Sequence, residues 1–314
     1  MRPRAARLAL VLATLTPHAA FAHDGRRMEP HDLWTAWSLD PAVVLALLVS
    51  GWMYARGVER MWRRSGVGGG VRRWQAACFA GGWLTLAVAM ATPLHPLGEV
   101  LFSAHMVQHE LLMALAAPLL VLGRPLVPFL WALPMRWRRR VGGWAKVSAV
   151  RGSWRTVSGP FAAWLLHAAA LWLWHLPGPY AAALAGDGMH ALQHASFLGT
   201  GLLFWWALLH GREGRMGYGA SVFYLFATAM HSGALGALLT LAPSPWYAAY
   251  AGGTAAWGLT PLEDQQLAGL IMWIPAGLAY VIAGLALVAA WMRESERRAA
   301  RWQERALRPA GSGG

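Results

Sequence analysis

The chain has 314 residues, of which 57% are hydrophobic and only 13% charged, and it carries 20 tryptophans. A soluble domain has about 25% charged residues, so the composition excludes an ordinary soluble fold and points to an all-α, polytopic membrane protein. The net charge of +13 does not indicate nucleic acid as a partner. Lys and Arg fall in four clusters between apolar segments, rather than along one groove.

In chain order, Arg2, Arg4 and Arg7 precede the apolar run 8–15, and Ala20-Phe21-Ala22 is a small-x-small cleavage pattern. These are the parts of a cleavable signal peptide, residues 1–22. A periplasmic N-terminal segment, 23–40, follows. A membrane domain, 41–292, is then expected to hold seven transmembrane helices, at 41–56, 74–92, 100–122, 159–176, 188–210, 218–242 and 267–291. Gly66 to Gly70 reads as a flexible turn. Pro118, Pro125, Pro128 and Pro134 crowd the end of the third span, so Gly123 to Pro134 is expected to be re-entrant or interfacial rather than an eighth span. Residues 293–314 form a tail with a disordered end from Arg308.

The positive charges set an orientation. Arg60, Arg63, Arg64, Arg72 and Arg73 lie in the first loop, and Arg136, Arg138, Arg139, Arg140 and Lys146 in the third. Arg212 and Arg215 occupy the fifth, and Arg297, Arg298, Arg301 and Arg305 the tail. Loops 93–99, 177–187 and 243–266 contain no Lys or Arg. With seven crossings, the positive-inside rule places the mature N-terminus outside and the C-terminus in the cytoplasm of a bacterial inner membrane.

Two motifs of one form stand inside apolar segments, His105-Met-Val-Gln108-His109 and His190-Ala-Leu-Gln193-His194. Each sets two imidazoles four residues apart, on one helix face. A polar side chain within a membrane helix is a functional candidate by default, and neutral imidazole is the commonest metal ligand. Two such pairs can offer four nitrogens to one ion. Most of the twelve histidines fall in the outer half, His95 in the first outer loop and His175 at the outer end of span four among them. His167 and His231 lie near mid-membrane, and His210 at the cytoplasmic interface. His167 and His210 read as helix–helix hydrogen-bonding residues. Met106, Met113, Met189, Met230 and Met272 add soft sulfur, which suits Cu(I), although scattered methionine is also ordinary gap-filling. Cys78 is the single cysteine, which excludes a disulfide framework, a C-x-x-C site and c-type haem attachment. Glu110 is a carboxylate beside His109, rotated about 100° away on the helix.

Several stretches together resemble the CtaG-type cytochrome c oxidase assembly factors. These are Thr92-Pro-Leu-His95-Pro-Leu, His105-Met-Val-Gln-His109, Ala117-Pro-Leu-Leu-Val-Leu-Gly-Arg-Pro125, Gln193-His194, Asp264-Gln-Gln266 and Gly269-Leu-Ile-Met272-Trp-Ile-Pro275. The resemblance runs from about residue 30 to 292. It implies a multi-spanning, non-enzymatic protein that works with cytochrome c oxidase subunits in the lipid bilayer and supports copper insertion from the periplasmic side. Self-association into a homo-oligomer stays open. The implied metal ligands are His105, His109, His190 and His194, with Asp264 as a further ligand or as an acceptor that orients one. His95 and Met272 are additional candidates. Three other readings remain: a membrane b-type haem protein with imidazole axial ligands, an intramembrane zinc hydrolase, for which no H-E-x-x-H is present, and a copper transporter with an inner exit path.

Overall fold

The computed structural model describes residues 28–210 and 216–306. The expected signal peptide, Arg212, Arg215 and the end from Arg308 lie outside the described residues. Within them the protein is all helix, with no strand.

Helix α1 (Pro41–Ser65) opens with Asp40, whose carboxylate accepts N–H bonds from Ala42 (2.7 Å) and Val43 (3.2 Å), and with proline in the first turn. That is the arrangement a helix N-terminus favours. It ends at Gly66, whose φ of 79° is open to glycine at little cost. The expected span stopped at 56. The helix continues for two more turns because its last stretch is rich in helix formers and carries an i,i+4 pair, Glu59–Arg63 at 3.3 Å.

Helix α2 (Arg73–Ala91) runs back, and a short α3 (Leu94–Val100) turns the corner. One extended residue, Leu101, separates α3 from α4 (Phe102–Leu122), which carries the first histidine motif. The middle of α4, Leu111–Ala116, is a π turn, a feature that often marks functional segments. The carbonyl of Met113 there accepts the indole N–H of Trp205 at 2.9 Å.

The Gly123–Pro134 stretch forms no spanning helix. Helix α5 (Leu126–Ala132) has seven residues, about 10 Å at 1.5 Å per residue, too short to cross. It lies hard against α1 because Gly57 has no side chain, and a Cβ there would sit 2.0 Å from the Pro128 carbonyl oxygen. Arg60 donates to the carbonyls of Trp131 and Ala132, at 2.9 and 2.6 Å, closing its C-terminal end. The loop expected beyond it folds into α6 (Met135–Trp144) and α7 (Ser148–Val157).

Helices α8 (Pro160–Trp174), α9 (Pro177–Ala185), α10 (Asp187–His210), α11 (Tyr218–Thr240) and α12 (Pro261–Ala306) complete the bundle. All seven expected segments are helical. By length and composition five helices can cross a membrane, or six if α7 and α8, bent by 61°, count as one. Helix α10 has 24 residues, about 36 Å, but its histidines and Gln193 make it too polar to pass on apolar content. Helices α11 and α12 pack through glycine: a Cβ on Gly236 would meet the Gly269 carbonyl at 2.8 Å, the close approach small residues permit in membrane helices. Helix α4 is the most enclosed candidate span, 56% buried against 17% for α1. Helix α10 packs against it and turns His190, Gln193 and His194 to its buried side.

Candidate metal centre

The site is built at the start of α4. Asp264, in the first turn of α12, is fully buried, and its carboxylate accepts N–H bonds from Phe102 (2.7 Å) and Ser103 (3.1 Å) and the Ser103 hydroxyl (2.5 Å). It satisfies the orphan donors of the α4 N-terminus. One and two turns further on, His105 and His109 face α10, where His190 and His194 stand at the same level.

The expected four histidines converge, and they do so as three plus one. Imidazole nitrogens of His105, His109 and His194 all lie within 4.8 Å of one another, and all three residues are buried. Their ring centroids are 4.3 Å (His105–His109), 5.4 Å (His109–His194) and 5.6 Å (His105–His194) apart. His190, 4.4 Å from His194 by centroid, instead groups with His95 and Glu99, again within 4.8 Å. The His95 and His190 rings stack at 5.2 Å and 11°. This outer triad adjoins the inner one and is more open, since Glu99 is exposed and His95 half-buried. Burial lowers the His95 pKa, against the pull of Asp40 and Asp187, and its Nδ1 is the acceptor nitrogen, engaged by Gln108 at 3.1 Å.

The glutamine in each motif ties an imidazole from another helix. The Gln193 side-chain carbonyl meets His105 Nε2 at 3.3 Å, so Nε2 carries the proton and Nδ1 keeps its lone pair. Gln108 donates its amide to the Ala89 carbonyl (2.7 Å) and to His95 Nδ1 (3.1 Å). Such outer contacts fix ring orientation and tautomer in metal sites. Gly98 lets the α3 backbone approach here, because a Cβ would fall 2.5 Å from Gln108 Oε1.

What remains is a set of buried ring nitrogens without a protein partner, one acceptor and one donor to each neutral imidazole. His105 Nδ1, both nitrogens of His109, His190 Nε2 and His194 Nε2 have no hydrogen-bond partner. Leaving a buried polar atom unsatisfied costs about 1–3 kcal/mol, and His105, His109 and His194 bring one nitrogen each to within 4.8 Å of one another. Neutral imidazoles suit copper, zinc, iron or nickel; the donor set fits a transition metal.

Aromatic residues close the site. Tyr180 and Tyr250 share a hydroxyl–hydroxyl bond of 2.8 Å, and Tyr250 also donates to the Gly98 carbonyl at 3.1 Å. The Tyr180 ring lies 5.5 Å from His105. Of the other expected site residues, Asp264 uses its oxygens to hold α4, and Met272 is buried in the apolar cluster with Met106, Met113 and Phe197. Glu99 was not anticipated, although His95-x-x-x-Glu99 repeats the i,i+4 spacing that revealed the histidine pairs. Tyr180 and Tyr250 carry no comparable signal.

The chain is similar to uncharacterized proteins of Mycobacterium bovis and Mycobacterium tuberculosis, each 28% identical over 278 residues, and of Mycobacterium leprae, 27% identical over 285. Each match covers 85% of this chain and 41% of the relative, so the chain spans less than half the length of these proteins. No solved structure matches. The model of the cytochrome c oxidase caa3 assembly factor family (Caa3_CtaG) matches residues 52–294, which takes in every helix that carries the site, and the chain belongs to that family.

Proposed function

We propose that this protein binds copper as cargo at the His105, His109 and His194 group and supports its insertion into cytochrome c oxidase. One observation carries the reading. Three buried imidazoles, two on the most enclosed candidate span and one on α10, bring unpartnered nitrogens within 4.8 Å of one another. The family supplies the target enzyme, and the imidazole set is compatible with copper.

The protein's residues act by binding and orienting. His105, His109 and His194 supply neutral nitrogen donors. Gln193 selects the tautomer of His105, Asp264 locks the helix on which two donors stand, and the tyrosines exclude water. The outer triad of His95, Glu99 and His190 gives an ion a more open first stop. The distribution of charge supports an outward-facing site: the connections at the histidine end, 93–101, 175–186 and 241–260, contain no Lys or Arg, whereas the opposite end carries the arginines.

The test is metal analysis of the purified protein after copper loading, with and without His105→Ala and His194→Ala. The wild type should retain copper and the double variant should lose it, with no Soret absorption in either. Equal copper in both would refute the site, and a Soret band would favour the haem reading.

A further inference from the structure

Beside the three-imidazole group, one contact lacks a protein explanation. His175, just past the end of α8, and Met106, on α4, are both buried, 2% and 0% exposed. His175 Nδ1 lies 2.6 Å from the Leu171 carbonyl oxygen, so Nδ1 carries the proton and donates it. In a neutral ring Nε2 is then an acceptor. Nε2 points at Met106 Sδ, 3.4 Å away, and a thioether has no proton to give. Two lone-pair atoms therefore face each other with no hydrogen between them. A proton on Nε2 would bridge them only by creating an imidazolium among Phe197, Tyr180 and the His109 ring. No carboxylate pairs with His175 among the described residues, and a buried charge without a counter-ion is costly.

We propose that His175 and Met106 form a second binding position, selective for Cu(I), next to the three-imidazole group. This rests on the copper reading above and adds to it the oxidation state of the cargo and a second position beside the first. Thioether sulfur selects soft Cu(I) over hard or borderline divalent ions. A spacing of 3.4 Å is what two donors show when each lies about 2.0–2.3 Å from one ion at a near-tetrahedral angle. A third donor is at hand: His109 stands three residues from Met106 on the same helix face, its ring 6.2 Å from that of His175 and both its nitrogens unpartnered. His109 thus borders both positions. An ion can pass between them by exchanging ligands, with no change of oxidation state and without returning to water. Tyr247 holds the far side in place by donating to the His175 carbonyl at 2.7 Å.

The experiment uses the full chain, purified in detergent and loaded anaerobically with Cu(I) against a competing chelator, with Ag(I) as a redox-inert soft ion and Zn(II) as the borderline one. X-ray absorption of the Cu(I) form should show one sulfur neighbour in the wild type, a result that needs no variant. Met106→Leu, close in volume, should lose that sulfur and weaken Cu(I) and Ag(I) on the order of 10–100-fold. Its Zn(II) binding should stay within about twofold. His105→Ala should do the reverse, losing Zn(II) first. A Cu(I) form with only nitrogen neighbours overturns this proposal and leaves the copper reading standing. A wild-type protein that holds neither Cu(I) nor Ag(I) overturns both.

Discussion

At one end of the bundle, imidazoles sit buried with their lone pairs unpartnered. At the other, Arg60, Arg63, Arg64 and Arg138 ring a cavity of about 350 Å³ beside Trp131, with guanidinium groups of Arg64 and Arg138 over the Trp131 ring at 5.4 and 4.6 Å. Both ends concentrate polar nitrogen, and they differ in the sign of what is missing. The arginines are donors at an accessible surface, where water, lipid headgroups or an aromatic face can meet them at little cost. The histidines of the inner group are buried, where a nitrogen left without a partner is costly. Unpaired groups at the arginine end cost the fold little, while those at the histidine end are buried and costly until a partner satisfies them.

The sharpest way to break this contrast is to empty the histidine end. His105→Ala with His194→Ala should leave an inserted protein and abolish copper-replete cytochrome c oxidase in cells that depend on it, measured by oxidase activity in membranes. The same pair of truncations at the arginine end should not. Full oxidase activity in the histidine variant would reduce the protein to a scaffold.

Asp264→Ala comes next. It strips the α4 N-terminus of its acceptor and should cost about 2 kcal/mol, seen as a lower unfolding temperature in detergent together with reduced metal retention. Asp264→Asn, which keeps one acceptor oxygen, should fall between. An Ala variant as stable and as metal-competent as wild type would sever the link drawn between α12 and the site.

A smaller effect is expected of Gln193→Leu, which frees the His105 tautomer. Affinity should fall by about 10–100-fold in a chelator titration, with the unfolding temperature nearly unchanged. An unaltered affinity would show that His105 needs no such support. The least effect belongs to Arg64→Gln with Arg138→Gln, which should shift stability by no more than about 0.5 kcal/mol and leave metal content untouched. A loss of metal there would mean that the two ends are coupled.

Much of this contrast was legible in the residues. Apolar runs marked every long helix, because a membrane span must be apolar over most of its length. The i,i+4 histidines located the inner site, because that spacing survives any arrangement of the helices. Less visible was anything made between elements. The capping of Phe102 by Asp264, the reach of Gln193 to His105 and the meeting of Met106 with His175 link residues 162, 88 and 69 positions apart, and nothing local announces them. Helix ends were also misplaced. Helix α12 runs to Ala306 rather than 291 because its Glu294–Arg298 pair and neighbouring helix formers carry it on after the apolar run ends. The basic stretch beyond Pro134 hid two short helices, α6 and α7.

The cap on α4 also has a meaning in time. Phe102 and its neighbours leave the ribosome long before Asp264, which lies 162 residues downstream. Until the last helix arrives, the N-terminus of the segment holding His105 and His109 has unsatisfied donors and no fixed seat. A chain cut short between His194 and α12 carries His105, His109 and His194 and still lacks the residue that caps the helix bearing two of them. Completion of synthesis is thereby written into the geometry: the segment that holds His105 and His109 is capped once the last helix is in place.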